Sequence, residues 1–356
     1  MEKPIAFIRG IPPVESFPKE KLVECARTAI LNHGDLILQY AGAAGYDPLR
    51  EWIADRHQVG MDSVTLGQGS LQLLDFFIHS CLKPGDLIYI EQPTYDRTLT
   101  LFKRAGMQLK GFNLKHGKID LDEVENSLRE GAVPKAFYVI PDFQNPSGAC
   151  MPLKLRQRLL DLARQYDFLV IEDGPYRHLR YSGAPEPTFF EQNQDHVMHM
   201  SSFSKMISPG LRVGYIAAPE MITSSIRQYA EDSSINSSYL NQAMIFEFIR
   251  NGWLENHIKS LLALYGFRLN TMLETLTTYI GDKGEWLEPQ GGFFVGLTLK
   301  ESERVPDEQT CKTGGITLSN SKGFYINGGD KFLRLPFCAL TPLEIQTGIQ
   351  RLAAII

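Results

Sequence analysis

Basic residues are in the minority in this chain of 356 residues, with 36 lysines and arginines against 41 aspartates and glutamates and a formal net charge of −5. No basic block interrupts that balance, which argues against nucleic acid as a partner. Nowhere do eighteen apolar residues run together, so no segment is expected to span a membrane. Cysteine is scarce: Cys25, Cys81, Cys150, Cys311 and Cys338 are odd in number and scattered. That spacing excludes a zinc-ligand set and a disulfide framework and fits reduced thiols in the cytoplasm. The opening Met1-Glu2-Lys3-Pro4 starts no secretion signal. Internal repeats, low-complexity tracts and disordered runs are missing as well.

What is present is apolar material in an alternating order. The hydrophobic share is 43% over a length that exceeds one ordinary core, so two domains are expected. Short, nearly continuous apolar runs at 64–66, 87–90, 136–140, 169–171, 197–200 and 213–217 read as strands buried on both faces. Helical patterns at 71–81, 94–104, 121–129 and 153–166 lie between them. Strand, helix, strand repetition predicts an α/β large domain, a mainly parallel sheet flanked by helices. A long helical region at 240–278 leads to Gly291-Gly292-Phe293-Phe294-Val295, a strand at 332–336 and a closing helix at 341–353, a small α+β domain. The expected division is an N-terminal arm over 1–38 packing with the small domain, a large domain over 39–240, and a connecting helix with the small domain over 241–356. The arm is rich in proline and carries one helix at 19–32.

The densest chemistry lies in Ser202-Phe203-Ser204-Lys205, with Arg212 seven residues on. An amine able to form a Schiff base stands beside two hydroxyls and a guanidinium able to hold a phosphate, which points to pyridoxal 5'-phosphate. A lone lysine is usually a solvated surface charge. Here the loop is bracketed by two core strands, and the loops at the ends of such strands are where α/β proteins place chemistry.

Other candidates fall at strand ends. Asp173 closes a buried strand, where a carboxylate needs a cation or hydrogen bonds; a pyridinium nitrogen would serve, and a helix N-cap is the bland alternative. Tyr176 could reach the cofactor's phenolic oxygen or simply cover the sheet edge. Asn145, in Asn145-Pro146-Ser147-Gly148, is either a turn former or a donor to the same oxygen. Gly69 and Ser70 open a helix, a natural seat for phosphate. The dinucleotide pattern fails there because Gln72 stands where its third glycine belongs. Arg334, on an apolar strand, suits a substrate carboxylate or a structural ion pair. Tyr95 could stack on a ring or pack in the core.

Taken in order with Gln39-Tyr40-Ala41-Gly42-Ala43-Ala44-Gly45 and Ile171-Glu172-Asp173-Gly174-Pro175-Tyr176, these residues resemble the fold-type-I pyridoxal-phosphate enzymes of the class I/II aminotransferase family, over nearly the whole chain. The likeness is greatest to its 2-aminoadipate and kynurenine aminotransferases. The resemblance implies an aspartate aminotransferase-like fold and an amino group moved between an L-amino acid and a 2-oxo acid through an aldimine on Lys205, which also moves the substrate's proton. It implies Ser70, Ser202 and Arg212 as phosphate ligands with backbone from Gly69 and with Ser204 alongside. Asp173 matches the residue on the ring nitrogen, Asn145 and Tyr176 those on the ring oxygen, Tyr95 the stacking ring and Arg334 the carboxylate clamp, with Asn145 also toward substrate. Gly10 falls where the arm crosses the substrate. Tyr40 matches a tyrosine that reaches the neighbouring subunit's phosphate, implying a homodimer with shared sites. No metal is expected. The chain departs from the family at Leu71, where a glutamine is usual, and in the loop Ser319-Asn320-Ser321-Lys322-Gly323, where Pro-Gly is usual. A lyase, cyclase or oxidase using the same cofactor, and an aminotransferase-like ligand sensor, are the alternatives left open.

Overall fold

The computed structural model describes residues 4–356. Its strands in chain order are β1 Ile5–Phe7, β2 Val64–Gly67, β3 Leu87–Gln92, β4 Gln108–Lys115, β5 Lys118–Ile119, β6 Ala136–Val139, β7 Leu169–Asp173, β8 Val197–Ser202, β9 Gly214–Ala217, β10 Gly284–Trp286, β11 Phe294–Leu299, β12 Ile316–Leu318 and β13 Phe332–Pro336. Eight of them form one sheet in the order β2-β9-β8-β7-β6-β3-β4-β5. The pairs β3–β4, β3–β6, β6–β7 and β7–β8 are parallel, while β9 runs against both β2 and β8. Both faces are covered by helices, which is why the central strands read as unbroken apolar runs. A mixed sheet in a helical coat is the architecture that the resemblance implies.

The register decides where chemistry can gather. Asp173 pairs with Met200, and Gly214 faces both Ser202 and Gly67 across its two neighbours. The carboxyl ends of β2, β7 and β8 therefore meet at one edge of the sheet, the usual place for ligands in open α/β sheets.

A second, antiparallel sheet, β10-β11-β13, packs with the helices Trp253–Tyr279 and Pro342–Ala353 around Tyr265, Met272, Phe293, Val295, Leu335 and Ile349. The arm divides between two neighbours. Its strand β1 pairs in parallel with β12, and Phe7 is buried in that smaller core. Its helix Lys19–Ile37 instead lies on the helix Tyr239–Arg250, in a cluster with Leu49, Ile53 and Phe203. Residues 1–3 of the arm lie outside the described residues.

Among the elements that differ from the sequence reading, three have a plain physical reason. The region expected as one helix over 240–278 is two, Tyr239–Arg250 and Trp253–Tyr279, broken where Gly252 takes φ 70. The strand β4 escaped notice because it is largely half-exposed and carries Lys110, Gly111 and Asn113 in place of an apolar run. Glu220–Ser234 is helical despite four serines, a threonine and weak intrinsic propensity, because Thr223, Ile226 and Ala230 are buried and the helix packs on Ser70–Cys81.

Arg156 is completely buried on the helix Leu153–Tyr166 and pins the loop that carries Asn145. It donates to the Met151 and Pro141 carbonyls and pairs with Asp142 at 2.8 Å. Arg156→Ala removes these charge-assisted bonds but leaves Asp142 with Arg177 at 3.2 Å and Arg180 at 3.7 Å, so it should cost about 1.5–3 kcal/mol. Urea unfolding checks this, and a loss below about 1 kcal/mol, the surface-pair level, would contradict it.

Candidate active site

Lys205 follows β8 in a tight turn held by the N–H groups of Met206 and Ile207 on the Phe203 carbonyl. Its Nζ donates to the Gly10 carbonyl at 3.0 Å and lies 5.9 Å and 5.6 Å from the ring centres of Tyr176 and Phe293. Burial pulls its pKa down to about 8, with the positive charges of Arg212 and Arg334 acting in the same direction.

Asp173 ends β7 and caps no helix. Its Oδ2 accepts from the Tyr138 hydroxyl at 2.5 Å, whereas Oδ1 is buried with no hydrogen-bond partner among the described residues. Burial pushes its pKa up to about 6 against the pull of the Tyr138 bond, His199 and Lys205. An acceptor left open in the interior is costly unless something arrives to use it.

A cradle for an anion forms at the N-terminus of the helix Ser70–Cys81. Gly69 precedes it at φ 89, and a Cβ there would stand 2.6 Å from Arg212 Nη2. A Cβ on Gly214 would stand 2.4 Å from the Ser70 amide nitrogen. Arg212, itself at φ 52, donates to the Gln68 carbonyl at 3.0 Å, and its Nη1 lies 3.5 Å from Ser204 Oγ. Ser202 Oγ is 2.9 Å from Ser204 Oγ and accepts from the Ser204 amide. Helix terminus, guanidinium and hydroxyls converge as phosphate binding requires.

Arg334 leaves β13 toward the same space. Nη1 donates to Asn145 Oδ1 at 3.0 Å and Nη2 to the Ile8 carbonyl at 2.5 Å, while Nε is buried without a partner. The guanidinium lies 4.9 Å from the ring centre of Phe294 and 4.5 Å from that of Phe324. No carboxylate comes within ion-pair reach of it among the described residues, so the structural ion pair left open by the sequence is not formed. Tyr95, just before the helix Asp96–Arg104, joins Lys205, Asn145, Tyr176, Phe294 and Arg334 around a cavity of about 590 Å³. Gly10 lines it too, so close that a Cβ would stand 2.3 Å from the Phe294 ring. A larger cavity, about 660 Å³ beside Trp286, Leu287 and Phe332, holds none of the expected site residues.

Tyr40 alone stands apart, 77% exposed. Sequence reasoning missed Tyr138, whose signal was a tyrosine in an apolar strand that pairs with Ile171, two residues before Asp173 on the same face of β7. It also missed the carbonyl of Ile8, which no side-chain pattern can announce.

Residues 14–352 match the family Aminotransferase class I and II. The chain belongs to that family. It is 32% identical to aromatic-amino-acid aminotransferase 1 of Thermococcus litoralis over 98% of this chain and 87% of that protein. To the 2-aminoadipate transaminase of Thermus thermophilus it is 30% identical over 98% and 89%. Among solved structures, the kynurenine aminotransferase of Pyrococcus horikoshii in complex with PMP covers 100% of this chain and 91% of its own, at 30% identity and a TM-score of 0.93. The aminotransferase uses pyridoxal phosphate to move an amino group between an amino acid and a 2-oxo acid. The residues present fit that cofactor: an open buried acceptor on Asp173, an anion cradle free of Cβ atoms at Gly69 and Gly214, and an amine of lowered pKa.

Gly214→Ala should push the Ser70 amide out of the cradle. The dissociation constant for pyridoxal phosphate should rise at least about tenfold, the equivalent of one charge-assisted hydrogen bond. Absorbance titration measures it, with circular dichroism as the check on folding. Unchanged affinity would remove the Ser70 amide from the cradle.

Proposed function

We propose that Lys205 is the group that holds the cofactor's aldehyde and then shuttles the proton at the substrate's α-carbon. The observation that carries this reading is the lowered basicity of Lys205 in a cavity it shares with an unpaired guanidinium, Arg334. Pyridoxal phosphate, when bound, supplies an aldehyde and a ring that draws electrons from the α-carbon. The chain's residues do the rest. Gly69, Ser70, Ser202, Ser204 and Arg212 hold the phosphate. Oδ1 of Asp173 accepts from the ring nitrogen and keeps it protonated. Asn145 and Tyr176 donate to the ring oxygen, and Tyr95 stacks on the ring. Arg334, steadied by Asn145, takes the substrate's α-carboxylate, and the arm at Gly10 lies over the substrate and excludes water. With a pKa of about 8, Lys205 is neutral often enough near pH 7 to act as a base, and a protonated lysine at the ordinary value would not be.

The protein works as a homodimer in the cytoplasm. Support for the dimer comes from an exposed apolar run on the arm: Val23, Leu31, Leu36 and Leu38 are each more than half exposed and lead to Tyr40. Tyr40 then completes the phosphate site of the second copy. All five cysteines are free, and among the described residues no helix is long and apolar enough to cross a membrane.

Lys205→Ala should abolish turnover, and amino acids added without an acceptor should convert the wild-type cofactor to its amine form with release of the matching 2-oxo acid. In cofactor-free wild-type protein the rate of reaction with pyridoxal phosphate should rise with pH, because only the neutral amine attacks, with a midpoint near 8 and not near 10.5. Stopped-flow absorbance follows both. Ammonia release or oxygen uptake in place of oxo acid would overturn transamination, and borohydride labelling of any other lysine would overturn Lys205.

Tyr40→Phe and Lys205→Ala homodimers should each be impaired, the first chiefly in cofactor retention. A mixed dimer has one site with both defects and one with neither, so turnover at limiting cofactor should exceed the sum of the parents. Mixed dimers verified by native mass spectrometry that give only the parental average would place Tyr40 within its own subunit.

A further inference from the structure

Strand β6 lies in the middle of the large sheet, and all of Ala136, Phe137, Tyr138 and Val139 are fully buried. Tyr138 brings a hydroxyl into this otherwise apolar strand. That hydroxyl donates to Asp173 Oδ2, and the other carboxylate oxygen is the buried acceptor without a partner. Tyr138 touches none of the space lined by Lys205 and Arg334.

We propose that Tyr138 is a positioning residue for the amino-transfer reaction: its hydroxyl holds Oδ2 of Asp173 so that Oδ1 alone is turned to the cofactor's ring nitrogen and the carboxylate stays ionised. This rests on the reading of Asp173 as the partner of that nitrogen.

A carboxylate on one rotatable bond has a broad, roughly two-fold torsion, so a single contact to a ring would leave its angle loosely set. A second hydrogen bond, made from the strand next to its own, fixes both oxygens at once. The same bond favours the charged form where burial opposes it. Besides Tyr138 on β6, the groups facing Asp173 are His199 on β8 and Lys205 after it, which favour its charge, and the phenols Tyr95 and Tyr176. Tyr138 is itself held well above its ordinary pKa by burial and by Asp173, so it keeps its proton and remains a donor. The rival role is core packing alone, edge-on to Phe102 with ring centres 6.3 Å apart, and a phenylalanine would fill that role equally.

The test is a cycle of wild type, Tyr138→Phe, Asp173→Ala and the double variant, each titrated with pyridoxal phosphate by absorbance at fixed pH. Tyr138→Phe should weaken binding about ten- to a hundredfold in the wild-type background, the range for a hydrogen bond to a charged group. In the Asp173→Ala background it should change binding less than about twofold, because the group it acts through is gone. The pH below which cofactor is lost should rise by about one unit in Tyr138→Phe, since a less stabilised carboxylate takes up its proton sooner. Equal losses in both backgrounds, or a Tyr138→Phe enzyme with wild-type affinity and pH midpoint, would overturn the positioning role. Asp173→Ala binding as tightly as wild type would instead overturn the reading of Asp173 itself.

Discussion

A charge withdrawn from water must be met by some other group, and three charges of this site, on Asp173, Lys205 and Arg334, are met by neutral ones. A tyrosine hydroxyl meets Asp173, a backbone carbonyl meets Lys205, and a side-chain amide with a second carbonyl meets Arg334. Direct pairing of the carboxylate with either cation would have neutralised it and closed the site. Neutral partners stabilise each charge and leave it capacity for an incoming one, shown by the open atoms Asp173 Oδ1 and Arg334 Nε. Elsewhere two buried groups have their partners in place: Arg156 pairs with Asp142 at 2.8 Å, and Glu172 lies 2.9 Å from His199 and accepts from the Phe189 and Phe190 amides. Glu172 and Asp173 are adjacent in sequence on opposite faces of β7, one sealed and one open, because a strand turns successive side chains to opposite sides.

The sheet makes that contrast possible. Parallel strands bring their carboxyl ends to one edge, and β9, running the other way, carries Gly214 back to the same edge between Ser202 and Gly67. Three positions that must approach closely there, Gly67, Gly69 and Gly214, lack a Cβ. The cradle is thus a packing solution before it is a chemical one.

Much of this was legible in the sequence because the central strands are buried on both faces and so appear as unbroken apolar runs, with the polar residues that end them standing out as exceptions. Asp173, Asn145 and Lys205 were visible in this way; Asn145 and Lys205 line one cavity with Arg334, and Asp173 ends the strand beside the one that leads to Lys205. Legibility failed where burial is one-sided or where tertiary packing overrides propensity, as in β4 and the helix Glu220–Ser234. It failed also for Tyr138, since a buried tyrosine reads as core until its neighbour across the sheet is known. The carbonyls of Ile8 and Gly10 carry no residue-type signal at all, because every residue has one.

The pairing of β1 with β12 joins the two ends of the chain. During synthesis the large sheet can be finished, and the helix terminus, guanidinium and hydroxyls at its edge assembled, while β12 and β13 are still within the ribosome, since every strand of that sheet precedes them in sequence. Throughout that interval β1 has no partner and its edge stays open. Arg334 comes later still, so a nascent chain can complete the cradle at the sheet edge before the guanidinium that shares the cavity with Lys205 exists.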